Sequence, residues 1–138
     1  IIIYGIGSVS ELGIYMAIRC LLVEDEFFTR DVLSLTLRRA NIEVDVVEGG
    51  KAALARLSTT QFDVIIVDLH MPDLNGYDLI SIIRKDKQFK NMVIIAITAN
   101  PSAIGTPEAQ MADVFLTKPL DIKYMIEKIK SLVSVGHS

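Results

Sequence analysis

The chain has 138 residues, 51% of them apolar and 22% charged, with 17 acids against 14 bases and a net charge of −3. That length suits one globular domain, and the composition excludes intrinsic disorder. The acidic balance, with only short basic tracts, argues against direct nucleic-acid binding.

Cys20 is the single cysteine, and the two histidines, His70 and His137, lie far apart in sequence. An intramolecular disulfide and a zinc site are therefore both excluded. The neighbours Leu21, Leu22 and Val23 mark Cys20 as a buried, reduced thiol, in keeping with a cytoplasmic protein.

Residues 1–15 are apolar, with Glu11 as their only charge and glycines at Gly5, Gly7 and Gly13. They lack the positive start and the cleavage site of a signal peptide, and a membrane span needs about 20 apolar residues. We expect an extension here, vector-derived or upstream, the alternative being an added strand or helix. Met16-Ala17-Ile18-Arg19 reads as a natural start, which places the domain proper at residues 16–138.

From Ile18 onward strand and helix patterns alternate, the signature of an α/β fold with a parallel sheet. Ile18 to Val23 reads as a strand that closes on Glu24-Asp25-Glu26. Phe27 to Ala40 reads as a helix with Phe28, Val32, Leu35 and Arg39 on one face and Leu33 and Leu37 beside it, ended by Asn41 as a left-handed cap. Ile42 to Val47 alternates apolar and polar, as an edge strand does, and Lys51 to Ser58 forms a short helix after Gly49-Gly50. Phe62 to Asp68 is an apolar, β-branched strand ending abruptly on a carboxylate, with a loop through Gly76 and a helix to Asp86 after it.

Met92 to Thr98 is another buried strand. Between Asn100 and Met111, Pro101, Gly105 and Pro107 interrupt the space where a helix is due, so only a short turn from Glu108 to Met111 is expected. Asp113 to Thr117 is the last strand, and Lys118-Pro119 comes directly after it. Asp121 caps a closing helix with Ile122, Met125, Ile126, Ile129, Leu132 and Val133 at helical spacing.

In a parallel sheet the strand ends Glu24-Asp25, Asp68, Thr98 and Lys118 fall on one edge, where open α/β folds place their chemistry. Carboxylates held close repel unless a cation intervenes, and hard oxygen ligands suit Mg²⁺. A lysine and a hydroxyl complete a phosphate site, and an aspartate is a recognised nucleophile for phosphoryl capture.

These residues resemble the receiver domain of two-component response regulators over roughly residues 18–135. The likeness rests on Leu21-Leu22-Val23-Glu24-Asp25-Glu26, on Asp68 with Met71-Pro72-Asp73-Leu74-Asn75-Gly76, on Thr98-Ala99 and on Lys118-Pro119-Leu120. It implies a flavodoxin-like, doubly wound sheet of five parallel strands in the order 2-1-3-4-5, here with an irregular or shortened fourth helix. It also implies a phosphorelay in which Asp68 takes a phosphoryl group from a histidine kinase or a histidine phosphotransfer protein.

By the same resemblance Asp25, Asp68 and the backbone carbonyl of His70 would ligate Mg²⁺, with Glu24 holding a metal-bound water. Lys118 would contact the phosphoryl group, and its bond to Pro119 would be cis. Thr98 would swing toward the phosphate and let Phe115 turn inward, while His70 and Asn100 would modulate loss of the phosphoryl group. The domain would be a cytoplasmic signalling switch rather than an enzyme, catalysing only its own phosphorylation and dephosphorylation. No membrane contact is expected.

The broken segment from Pro101 to Met111 falls where the family has part of its output and dimerisation face, which leaves the oligomeric state and the output partner open. A receiver-like module that binds partners without phosphorylation is the alternative, although such modules usually lose an acid or the lysine. A flavodoxin-like phosphate cradle is disfavoured by Glu24-Asp25-Glu26, and a haloacid-dehalogenase-type phosphatase by the lack of an aspartate two residues after Asp68. The chain stops soon after the last helix, as a free-standing receiver or as one cut from a hybrid sensor kinase or a transcription factor.

Overall fold

The computed structural model describes residues 8–9 and 15–136. Ser8–Val9 pairs antiparallel with Tyr15–Met16. The rest of the leading stretch, expected as an extension, lies outside the described residues.

Beyond it, β1 (Arg19–Val23), α1 (Phe27–Arg39), β2 (Glu43–Val47), α2 (Gly50–Leu57), β3 (Val64–Asp68) and α3 (Gly76–Lys85) succeed one another. Then come β4 (Val93–Thr98), β5 (Val114–Thr117) and α4 (Ile122–Gly136). The strands form one parallel sheet in the order β2-β1-β3-β4-β5, the expected doubly wound topology.

Alternation along each strand divides the core in two. Cys20, Leu22, Ile66, Ile95 and Ile97 face α1 and α4, where they meet Leu33, Leu37, Met125, Ile129 and Val133. Leu21, Val23, Ile65, Val67, Ile94 and Ala96 face α2 and α3, where they meet Ala53, Leu57, Leu79, Ile80 and Ile83. Central β3 is buried along its whole length, which explains its unbroken apolar run, while edge strand β2 keeps the polar alternation read from its sequence.

Two details differ from the sequence-based expectation. The inward face of α1 is that of Leu33, Ser34 and Leu37, while Phe28 is 72% exposed and Leu35 48%. Both rows of apolar side chains have helical spacing, and only docking on the sheet selects between them. After β4 the chain makes two 3₁₀ turns, Pro101–Gly105 and Ala109–Met111, so that helical backbone begins earlier than the single turn expected from Glu108. Pro101 is tolerated because it stands in the first turn, where an N–H has no helical partner, and the Asn100 side chain caps that turn. Asn41 has a φ of 63°, the left-handed conformation expected after α1.

One glycine fixes how close a helix comes to the end of β3. A Cβ on Gly76 would stand 2.4 Å from the Asp68 carbonyl oxygen and 2.6 Å from the Leu69 Cα, both backbone atoms. Gly76→Ala should therefore lower stability by about 1–3 kcal/mol, as overpacking does. Phe28→Ser should change it by less than about 0.5 kcal/mol. Urea unfolding of the two variants checks both.

Candidate functional site

Strand register brings the expected residues together. Val23 lies opposite Val67, so Glu24 stands beside Asp68; Asp68 lies opposite Ile97, and Thr98 opposite Thr117. Backbone bonds continue the ladder past the strand ends, with Glu24 N–H donating to Val47 O at 3.1 Å, Leu69 N–H to Ile97 O at 2.9 Å and Lys118 N–H to Thr98 O at 2.8 Å. The Lys118–Pro119 peptide is cis, as expected.

Lys118 is the centre of the cluster. Its Nζ donates to Glu24 Oε1 and to Asp68 Oδ2, each at 3.0 Å. The other oxygen of Asp68, Oδ1, accepts from the His70 backbone N–H at 2.9 Å. Glu24 and Asp68 are buried, whereas Asp25 is exposed, and carboxylate oxygens of all three lie within 4.8 Å of one another. One ammonium among three carboxylates leaves the site net anionic, and the donors are all hard oxygens. Glu24, Asp25 and Asp68 could thus hold a divalent cation.

The three consecutive acids after β1 have separate fates. Glu24 turns inward to Lys118, and Asp25 stays at the mouth of the site. Glu26 caps α1, accepting from Phe28 N–H at 3.0 Å and Thr29 N–H at 2.6 Å. Its bonds to Thr29, and then that to Phe28, hold the Glu26 carboxyl below the ordinary carboxylate range. Burial, reinforced by the Asp68 carboxylate and opposed by Lys118, pushes Glu24 up to about 7. Burial lowers the Lys118 pKa, but the bonds to Glu24 and Asp68 outweigh it and leave the ammonium held more firmly than usual.

The other expected residues have separate surroundings. Thr98 is fully buried and its hydroxyl oxygen accepts from Asn100 N–H at 3.1 Å. Asn100 is exposed, and its side-chain oxygen is engaged by Ser102 N–H at 3.1 Å and Ser102 Oγ at 2.8 Å. Phe115 is half-buried in β5, opposite Ala96, on the α3 side of the sheet. The exposed His70 ring makes an edge contact with Tyr77, centroid to centroid 6.0 Å.

Asp73, read from the sequence only as part of a motif, ties the loop after β3 to the start of α2. Its Oδ1 accepts from Gly50 N–H at 3.1 Å and its Oδ2 from Lys51 N–H at 3.4 Å. The only sequence signal for this is Gly49-Gly50, a place where backbone is open to a neighbour's side chain.

The family model for the response regulator receiver domain matches residues 20–130. The transcriptional regulatory protein CusR of Escherichia coli is 31% identical over 124 residues, covering 86% of this chain and 52% of that protein. The sensory/regulatory protein RpfC of Xanthomonas campestris is 29% identical over 120 residues, covering 84% of this chain and 16% of that protein. The chain therefore spans about half the length of the first relative, and less of the second. Among solved structures, the response regulator protein TrrA of Thermotoga maritima, in complex with Mg²⁺-BeF, superposes with a TM-score of 0.78 at 31% identity, covering 83% of this chain and 98% of that one.

The raised pKa of Glu24 has a measurable consequence. A carboxyl protonated more readily in the folded than in the unfolded chain makes stability fall as pH rises from the unfolded value, 4.5, to about 7. Without divalent cations, Glu24→Gln should remove that part of the decline, so that its stability relative to the wild type is greater at pH 8 than at pH 5. Urea midpoints at the two pH values, in chelator, report it.

Proposed function

The chain belongs to the response regulator receiver domain family, and on that premise we propose that it is a phosphoacceptor switch of a two-component phosphorelay, with Asp68 as the acceptor. The observation that carries this reading is the Lys118 ammonium at 3.0 Å from both Glu24 and Asp68, with a third carboxylate, Asp25, beside them. A receiver-like module working without phosphorylation has no need to keep such a set together.

In the proposed reaction an Asp68 carboxylate oxygen attacks the phosphorus of a phosphohistidine on a histidine kinase or phosphotransfer protein. The new P–O bond forms as the P–N bond breaks, and the electron pair leaves with the imidazole nitrogen. Lys118 stabilises the charge on the transferring group, and its prior bond to Asp68 orients the attacking carboxylate. The Thr98 hydroxyl, buried beside the site, turns from the Asn100 N–H to donate to the phosphoryl group, and Phe115 moves inward with it. His70 and Asn100 flank the mouth and govern how long the phosphoryl group survives.

Mg²⁺, held by Asp25, Asp68 and the His70 carbonyl with Glu24 beside it, would supply the charge neutralisation that phosphoryl transfer requires. Support for that ion comes from the all-oxygen donor set and from the relative TrrA, whose structure is a complex with Mg²⁺-BeF. The role is that of a signalling switch acting only on its own phosphoryl group. A dianion on Asp68 makes contacts in one conformational state that are absent in the other, and so shifts the population. The domain is taken as residues 16–138 of a cytoplasmic protein. Among the described residues no helix is long and apolar enough to cross a membrane.

Incubation with acetyl phosphate and Mg²⁺, read by intact mass, tests the acceptor. One phosphoryl group should be gained by the wild type and lost on base treatment, and Asp68→Asn should gain none. No gain, or a gain that survives Asp68→Asn, overturns the reading in favour of a phosphorylation-independent module. Mg²⁺ affinity should also rise with pH through about 7, because binding must displace the proton that burial retains on Glu24. Calorimetric titration at pH 6 and pH 8 should show tighter binding at the higher pH.

A further inference from the structure

The loop that carries Glu24 and Asp25 is gripped from outside by one side chain. Arg30, near the start of α1, folds back so that its Nη1 donates to the carbonyl oxygens of both Glu24 and Asp25, each at 3.2 Å. Its Nη2 meets Glu48 Oε1 at 3.2 Å, just past the end of β2. Its guanidinium carbon lies 5.5 Å from the centre of the Phe27 ring. The Arg30 side chain is only 16% exposed although that of Glu48 is 76% exposed, so the guanidinium lies against the protein rather than reaching into solvent.

We propose that Arg30 is a positioning residue for the acidic site: it clamps the backbone of Glu24 and Asp25 in the conformation that turns their carboxylates together toward Asp68. The inference rests on the phosphoacceptor reading and adds to it a residue outside the site. Two consecutive carbonyls held by one guanidinium nitrogen leave the intervening peptide little freedom, and the orientation of that peptide decides where the Asp25 side chain goes. The Glu24 N–H is fixed at the same time to Val47 O at 3.1 Å, so the loop is pinned between β2 and α1. The planar fork of an arginine makes these separate bonds at once, which a lysine ammonium on a flexible stem does not.

Electrostatics and positioning make opposite demands on the outcome. A cation lying against Glu24 and Asp25 repels Mg²⁺, so if Arg30 were only a nearby charge, its removal would tighten Mg²⁺ binding. If Arg30 holds the ligands in place, its removal weakens binding, as loss of a supporting hydrogen bond to metal ligands does, by about tenfold.

The test compares the wild type, Arg30→Met and Arg30→Lys by calorimetric titration with Mg²⁺ alone, then by acetyl phosphate labelling across Mg²⁺ concentrations. Arg30→Met should bind Mg²⁺ about tenfold more weakly. The Mg²⁺ concentration for half-maximal labelling should rise by the same factor, while the labelling rate at saturating Mg²⁺ stays close to that of the wild type. Arg30→Lys should fall between the two. Unchanged or tighter Mg²⁺ binding in Arg30→Met overturns the proposal, as does a loss of urea stability without any change in Mg²⁺ affinity. Should Arg30→Met not fold, Arg30→Lys decides: weaker binding than the wild type supports the proposal, and equal binding overturns it. If the wild type itself neither binds Mg²⁺ nor becomes labelled, the phosphoacceptor reading has failed and this inference with it. If the wild type does both and the variants match it, only the positioning role falls.

Discussion

The site depends on one ammonium group shared by two buried carboxylates. Lys118 reaches Glu24 and Asp68 from the end of β5, although these three residues come from the ends of three different strands. Without a cation between them, two buried carboxylates at this separation would drive each other toward protonation. Burial, reinforced by the Asp68 carboxylate, outweighs the single lysine, which is why Glu24 still has a raised pKa with Lys118 in contact. The pocket is folded around a charge deficit that a divalent cation is suited to complete.

That arrangement works only because the sheet is parallel and in register. The strands deliver their last residues to the same edge, and the backbone ladder runs one residue past β1, β3 and β5. Gly76 then lets α3 press against the backbone at the end of β3, and Asp73 anchors the loop after β3 on the start of α2. The carboxylate edge is thereby packed from below and from one side, and its mouth stays open where Asp25 and His70 are exposed.

The segment after β4 departs from the helical pattern, and it touches the site directly. Thr98 accepts from the Asn100 backbone, and the Asn100 side chain in turn caps the Pro101–Gly105 turn through Ser102. Two 3₁₀ turns are stabilised less by internal hydrogen bonding than a full helix is. Thr98 is thus hydrogen-bonded to the start of a short, lightly held segment that presents Ile104 to solvent. CusR is a transcriptional regulatory protein and RpfC a sensory/regulatory one. The matching stretch thus occurs in proteins of different roles.

Much of this was legible in the order of residues. Unbroken apolar runs rich in β-branched residues, ending on Asp68 and Thr98, fit central parallel strands, and the alternation of Ile42 to Val47 belongs to an edge. Acids after the first strand, a lysine before proline after the last, and the strand and helix periods between them were enough for the fold class and for the residues Glu24, Asp25, Asp68, Thr98 and Lys118 on one edge. These are local patterns, and the physics behind them is local. Tertiary structure alone decided which of the two apolar rows of α1 turns inward, which of Glu24, Asp25 and Glu26 faces the lysine or caps the helix, and that Arg30 and Asp73 grip the loops of the site. Those outcomes depend on distances between separate segments of the chain, set by how helices dock on the sheet, and no spacing within a single segment carries them.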